Sequence, residues 1–246
     1  MVRQFGLIGF PLGHSFSQKY FTDKFLRERI PGCAYRNYPL KNISEFTPLI
    51  KNNPALEGLN VTIPYKEAVI PFLDRLSEAS GQIGAVNCIK INKGETTGFN
   101  TDVTGFERSL APLLQSFHKK ALVLGTGGAA KAVAYVLGRL QIPYAYVSRD
   151  PRGKENSLGY EELNEKILEE YLLIVHTTPL GMHPKEDALP PVPYEYLTPR
   201  HLLYDLVYNP AETLFLKKGK EKGAVVKNGE EMLILQAEAS WEIWNS

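Results

Sequence analysis

Cysteine is almost absent. Two occur in 246 residues, Cys33 and Cys88, isolated and without metal-ligand spacing, so the sequence implies neither a disulfide framework nor a zinc site. Both read as buried small apolar residues. An excess of either charge is also missing: 28 Lys+Arg against 27 Asp+Glu leave a net +1. Without a global field, neither nucleic acid nor an anionic membrane is an expected partner, and any bound anion must be held locally. No apolar run approaches the roughly 18 residues of a membrane span. The opening MVRQFGLIGFPLGHSF is interrupted by Gly9, Pro11 and His14, too early for a signal peptide. Repeats and low-complexity segments are lacking as well. A cytoplasmic, monomeric or homodimeric protein that acts on a small-molecule substrate is the expectation.

What is present is alternation between short apolar runs and helical patterns, the mark of α/β construction. FGLIGF, YRNYPL, LNVTIPY and GAVNCIKI read as strands. SQKYFTDKFLRERI reads as a helix with Phe21, Phe25 and Leu26 on one face, and AVIPFLDRLSEAS as another helix. From Ala121 onward ALVLG, GAAKAVAYVLGRL and YAYVSR succeed one another as strand, helix, strand at βαβ spacing. YLLIVHTT and HLLYDLVYNP are continuously apolar, as suits a parallel sheet covered on both faces. The last segment, GEEMLILQAEASWEIW, reads as an amphipathic helix packing through Met232, Leu233, Trp241 and Trp244. The expected division is a first α/β domain of residues 1–101 with 230–246, to which this helix returns, and a doubly wound Rossmann-type domain of 102–229.

GTGGAA (125–130) matches the G-x-G-x-x-G/A fingerprint between a strand and a helix. Gly125 permits the tight turn, Gly127 lets backbone approach a pyrophosphate, and Ala130 lets helix and sheet pack closely. Phosphates would then face the free N–H groups of the helix start. About 20 residues on, an acid would hold a ribose 2′-hydroxyl and an arginine a 2′-phosphate. Here stand Ser148, Arg149, Asp150, Pro151 and Arg152. Arg149 comes first and Arg152 can assist, so NADP(H) is favoured, with NAD kept open by Asp150. Arg149 and Asp150 read equally well as a solvated surface pair.

Polar residues recur at the ends of apolar runs. Ser15 and Ser17 offer two hydroxyls ahead of a helix start, a fit for a carboxylate, although serine there is most often only a cap. In NVTIPYK (60–66), Asn60, Thr62 and Lys66 share one face if alternation survives Pro64. Asn87, then Asn100, Thr101 and Asp102, complete the set; singly, each is as readily a cap, a turn former or a solvated residue. Reducing a ketone by hydride requires a proton for the developing alkoxide, which one lysine and one aspartate can manage together. Bringing a lysine from ~10.4 to roughly 7 to 8 costs about 4 kcal/mol, within reach of desolvation in a closed cleft. Asp102 would oppose that shift, so the pair titrates as a unit.

Taken in order, GFPLGHSFS, NVTIPYK, GAVNC, GFNTD, GTGGAA, TTPLGM, DLVYNP and NGEEMLILQA resemble the shikimate dehydrogenase family over nearly the whole chain. The resemblance implies a substrate domain, an NADP-binding Rossmann domain and reversible NADPH-dependent reduction of 3-dehydroshikimate to shikimate, a step of aromatic amino-acid biosynthesis. It implies Lys66 and Asp102 as the catalytic pair, and Ser15 and Ser17 as holders of the substrate carboxylate. Asn60, Thr62, Asn87, Tyr208 and Gln236 would contact the ring hydroxyls or frame the pocket. Gly125, Thr126, Gly127, Gly128 and Ala129 would cradle the pyrophosphate. Ser148 and Arg149 would face the 2′-phosphate, and Leu206 and Gly229 the nicotinamide end. Thr177 and Thr178, like Gly125, Arg149 and Tyr208, come after parallel strands, where ligands of such sheets bind. Gln236 also reads as a boundary residue of a partly buried helix. The chain departs from the family pattern at Gln18, where proline is usual, at Ser148-Arg149-Asp150, at His176 where asparagine is common, and in a compressed 151–170 segment. A quinate/shikimate dehydrogenase using NAD and a binding module without the reaction are the alternatives. Lys66 and Asp102 together speak against the second, since a pure binder needs no acid–base pair.

Overall fold

The computed structural model describes residues 2–13, 16–151 and 156–246. The chain forms two compact units: Met1–Thr101 with Ala237–Ser246, and Asp102–Gln236.

The first unit contains β1 (Arg3–Gly9), α1 (Phe16–Arg27), β2 (Cys33–Pro39), α2 (Phe46–Asn52), β3 (Leu56–Val61), α3 (Tyr65–Ala68), β4 (Arg75–Leu76), α4 (Glu78–Ile83), β5 (Cys88–Asn92) and β6 (Glu95–Phe99). Its sheet has the order β2-β1-β3-β5-β6-β4. β1 pairs in parallel with β2 and β3, while β5 runs antiparallel to both β3 and β6. Because successive side chains leave a strand on opposite faces, β1 feeds two cores. Ile8 joins Phe46, Leu59, Val61 and Ile89 on one face, and Phe5 and Leu7 join Phe21, Phe25, Tyr35 and Trp244 on the other. Both faces are covered, so polar residues of the central strands are enclosed rather than solvated.

The second unit contains α5 (Asp102–Leu110), β7 (Ala121–Leu124), α6 (Gly128–Arg139), β8 (Tyr144–Ser148), β9 (Ser157–Gly159), α7 (Glu165–Glu170), β10 (Leu173–His176), β11 (Leu202–Asp205), α8 (Leu214–Glu221) and β12 (Val225–Lys227), followed by α9 (Glu230–Asn245). Its sheet, β12-β11-β10-β7-β8-β9, is parallel throughout. Strand order reverses between β7 and β10, the doubly wound pattern whose ligands bind outside the carboxyl ends at that switch point. β7, β10 and β11 are wholly buried, as their unbroken apolar runs require. The end of α9 belongs to the first unit. There Trp244 stacks on Phe5 with ring centroids 4.9 Å apart and donates to the Ile89 carbonyl at 3.0 Å. Gly58 is required beneath it, because a Cβ there would strike the indole.

Three local expectations fail. NVTIPYK is not one strand: β3 stops at Val61, Ile63 is 74 % exposed, and Tyr65 and Lys66 open α3. Pro64 has no N–H to donate, and the chain turns there so that the Tyr65 N–H reaches the Thr62 carbonyl at 2.9 Å. AVIPFLDRLSEAS is broken into α3, a 3-10 turn at Ile70–Phe72, β4 and α4. Pro71 and the Ser77 cap, which accepts from the Ser80 N–H, end any single helix. Leu26 is exposed; α1 instead buries Lys24, whose ammonium meets Glu238 at 2.7 Å and Glu28 at 2.8 Å. Of the two cysteines, Cys88 is buried, which pushes its thiol up to about 12, and Cys33 is half-buried.

Candidate active site

In the second unit, Gly125, Arg149 and Thr177 directly follow β7, β8 and β10. They line a cleft of about 550 Å³ together with Thr126, Gly127, Ser148 and Thr178. Gly125 has φ +110, and a Cβ on it would lie 2.8 Å from Thr177 Oγ1 and 2.9 Å from Thr178 Cγ2. Only glycine serves both that conformation and that approach. Gly127 caps α6 with extended backbone, and a Cβ there would meet nothing within 4 Å, so its surroundings are open to a ligand. Gly128 and Ala129 begin α6, whose N-terminal dipole faces the same turn.

Ser148 Oγ is buried and has no hydrogen-bond partner among the described residues. A buried hydroxyl of this kind costs about 1–3 kcal/mol unless something pairs with it, and a phosphate oxygen beside Arg149 would do so. The glycine turn, the orphaned hydroxyl and the guanidinium thus fit the 2′-phosphate and pyrophosphate of NADP(H). Tyr160 and Pro191 also line the cleft. Sequence reasoning missed both, since neither sits in a motif. Arg152 lies outside the described residues.

In the first unit, one end of the sheet collects polar residues because of strand direction. The carboxyl ends of β1, β3 and β6 and the amino end of β5 share it. Ser17 lies there in the first turn of α1 rather than ahead of the helix; Ser15 lies outside the described residues. Thr62 and Lys66 are half-buried, and the Lys66 carbonyl accepts the Val86 N–H at 2.7 Å. Tyr65, buried, donates to the Leu40 carbonyl at 2.6 Å and so fixes α3 and the orientation of its first turn.

Asn60 does not face outward with Thr62 and Lys66. It is buried at 4 % exposure, accepts from the Tyr35 hydroxyl at 2.8 Å and donates to Ser240 Oγ at 2.9 Å. Ser240 meets Thr101 Oγ1 at 3.2 Å, and Asn87 Oδ1 receives the Thr101 N–H at 2.6 Å and its hydroxyl at 3.1 Å. Tyr35 also lies against Ser17, and burial pushes its phenol well above the usual range. Asn60, Asn87 and Ser17 therefore belong to one hydrogen-bonded chain. Ser240 and Tyr35, which with Thr101 complete it, carried no motif signal, although both are buried, where a polar group needs a partner.

The remaining candidates lie in the second unit. Asp102 is buried at the first turn of α5. Tyr208 is 40 % exposed just past β11, and burial raises its phenol. Leu206 and Gly229 touch: a Cβ at Gly229 would overlap the Leu206 carbonyl, and the Gly229 N–H donates to Val207 at 3.1 Å. Gln236, 8 % exposed, donates to the Leu233 carbonyl at 2.9 Å. Thr177 gives its hydroxyl to the Leu124 carbonyl at 2.7 Å, so it clamps β10 to β7. Among the described residues, no group of His, Cys, Asp or Glu could hold a metal, and no helix is long and apolar enough to cross a membrane.

A glycine turn at the switch point of a parallel sheet, joined to a second α/β unit with a polar sheet end, defines a two-unit dinucleotide-dependent protein. Residues 7–89 match the family model described as the shikimate dehydrogenase substrate binding domain. A shikimate dehydrogenase (NADP(+)) of Carboxydothermus hydrogenoformans is 40 % identical over 255 residues, covering 97 % of this chain and 90 % of its own. The solved shikimate 5-dehydrogenase of Thermus thermophilus in complex with NADP(H) and shikimate is 30 % identical with a TM-score of 0.87, over 98 % of this chain and 92 % of its own. A quinate dehydrogenase of Corynebacterium glutamicum in complex with NAD is 29 % identical with a TM-score of 0.86, over 98 % and 93 %. The chain belongs to the shikimate dehydrogenase family.

Proposed function

We propose that the protein catalyses the reversible NADPH-dependent reduction of 3-dehydroshikimate to shikimate. The observation that carries the cofactor half is the cleft at the β7/β10 switch point, where Gly127 is open to a ligand and Ser148 Oγ, beside Arg149, has no partner among the described residues. When bound, NADPH supplies the hydride. The protein's own residues must then hold the substrate and deliver a proton to the forming alkoxide.

Lys66 and Asp102 take that proton role. Lys66 is carried on α3, held by Tyr65 and by the Val86 N–H, and Asp102 comes directly after Thr101, itself held by Asn87. Ser15 and Ser17 bind the carboxylate, while Thr62, Asn87, Tyr208 and Gln236 meet ring hydroxyls. Asn60 supports this set from inside the unit. Gly125 through Ala129 receive the pyrophosphate, Ser148 and Arg149 the 2′-phosphate, and Thr177, Thr178, Leu206 and Gly229 bound the remainder of the cofactor. The units, 1–101 with the end of α9 and 102–236, are then the substrate and NADP domains.

A second reading, a quinate/shikimate dehydrogenase accepting NAD, is motivated by Asp150 next to Arg149, both exposed. Initial rates with NADP⁺ and NAD⁺, each against shikimate and quinate, separate the two. A higher kcat/KM for NAD⁺ than for NADP⁺ would favour the second.

A further inference from the structure

The carboxyl end of β10 holds a polar chain of which the proposed site uses only Thr178. His176 is fully buried, with its ring against Phe215 at 5.2 Å between centroids. Its Nδ1 lies 3.0 Å from Asp205 Oδ1 and its Nε2 2.6 Å from Thr178 Oγ1. Asp205, also fully buried, receives the Val207 N–H at 2.9 Å on Oδ1 and the Thr213 hydroxyl at 2.6 Å on Oδ2. With those two donors already on it, the carboxyl acts as an acceptor toward His176, which places the ring proton on Nδ1. With the ring proton on Nδ1, Nε2 accepts, and the Thr178 hydroxyl donates to it. Thr178 Oγ1 in turn accepts from the Leu180 N–H at 3.4 Å. With its proton committed, Thr178 can offer the cleft that it lines only an oxygen lone pair.

Sheet order says which part of a dinucleotide meets that lone pair. β8 carries Ser148 and Arg149, β7 carries the glycine turn, and β10 lies on the opposite side of β7 from β8. A cofactor with its 2′-phosphate at Arg149 and its pyrophosphate at Gly127 directs its nicotinamide half toward β10. That half bears O–H and N–H donors, its ribose hydroxyls and carboxamide, whereas a phosphate bears none at neutral pH. We infer that His176 is a positioning residue: through Thr178 it fixes a hydrogen-bond acceptor for a donor on the nicotinamide half of the cofactor. The inference rests on the nucleotide-binding reading above and goes beyond it by assigning a role to a residue outside the proposed site.

The test is calorimetric titration of NADP⁺, and of adenosine 2′,5′-bisphosphate, which lacks the nicotinamide half. The proteins are the wild type, His176→Phe, Thr178→Val, Thr178→Ser and the His176→Phe/Thr178→Val double variant. The expected Kd for NADP⁺ rises about tenfold in each of the Phe and Val variants, the worth of one hydrogen bond, and no further in the double. Thr178→Ser keeps wild-type affinity, and the bisphosphate binds every variant within about twofold of wild type. Imidazole ¹⁵N spectra supply a readout that a merely structural role would not move: the Nδ1–H tautomer of His176, with an Nε2 resonance that shifts in Thr178→Val. Additive losses, equal weakening of both ligands, unchanged NADP⁺ affinity, an Nε2–H tautomer or an imidazolium would each overturn the inference. Failure of the wild type to bind either nucleotide would instead remove the nucleotide reading, and this inference with it. If His176→Phe does not fold, the Val and Ser variants at Thr178 carry the test alone.

Discussion

Each unit encloses a chain of polar side chains, and the two chains are built differently. In the first unit Tyr35, Asn60, Ser240, Thr101 and Asn87 link strands β2 and β3, helix α9 and the segments flanking β5 and β6 through neutral groups. In the second, Thr213, Asp205, His176 and Thr178 run between buried strand ends through a carboxyl and an imidazole. The first chain matches donors to acceptors inside a sheet covered on both faces, and so specifies how the C-terminal helix seats. The second ends at a residue that lines the nucleotide cleft. Burial of polar groups thus braces the first unit through neutral groups and reaches a cleft in the second through a carboxyl and an imidazole, and substitutions should separate the two.

The largest effect is expected outside both chains. Lys66→Ala should lower kcat by ~10² to 10⁴ with a smaller change in KM, the usual worth of acid–base catalysis, and leave thermal unfolding near wild type. A rise in KM alone would make Lys66 a binding residue. Next, Asn60→Leu removes the acceptor of the Tyr35 hydroxyl and a donor to Ser240 Oγ, and denaturant unfolding should show a loss of about 1–3 kcal/mol. Unaltered stability would mean that the neutral chain does not hold the frame. Arg149→Ala should weaken NADP⁺ by about tenfold or more while leaving NAD⁺ and stability alone, since a charge-assisted contact to the 2′-phosphate is all that it removes; equal losses for both nucleotides would refute that contact.

The smallest effect concerns pH. His201, buried in the second unit, accepts the Thr198 N–H at 3.0 Å on Nδ1 and lies 2.9 Å from the Leu168 carbonyl through Nε2. Burial holds its ring below the ordinary 6.5, as it does that of His118. Above that value both folded and unfolded chains are neutral and nothing changes. As pH falls below it, the unfolded chain takes up protons that the folded one refuses, so stability declines. His201→Gln should flatten that part of the acid limb of a Tm-against-pH curve. An identical limb would assign the decline to other groups.

The Rossmann-type unit was legible because its signals are local. ALVLG, GTGGAA and YAYVSR each carry period, turn chemistry and spacing, and the structure has β7, the α6 turn and β8 there. In the first unit, alternation misled. NVTIPYK has the period of a half-buried strand, yet β3 is central and covered on both faces, so Asn60 is inside, and the outward turn at Pro64 sends Tyr65 and Lys66 into α3. Period 2 reports which residues share a face; only the other strands and α9 decide whether that face meets water. His176 shows the same limit from the other side. As one residue in an apolar run it had no visible partner, because Asp205 and Thr213 reach it only through the sheet.

The central claim is tested most directly by mixing the folded protein with shikimate and NADP⁺ and recording nicotinamide absorbance. The account predicts reduction of the cofactor that depends on shikimate and reverses on addition of 3-dehydroshikimate. No change with either NADP⁺ or NAD⁺ would contradict it.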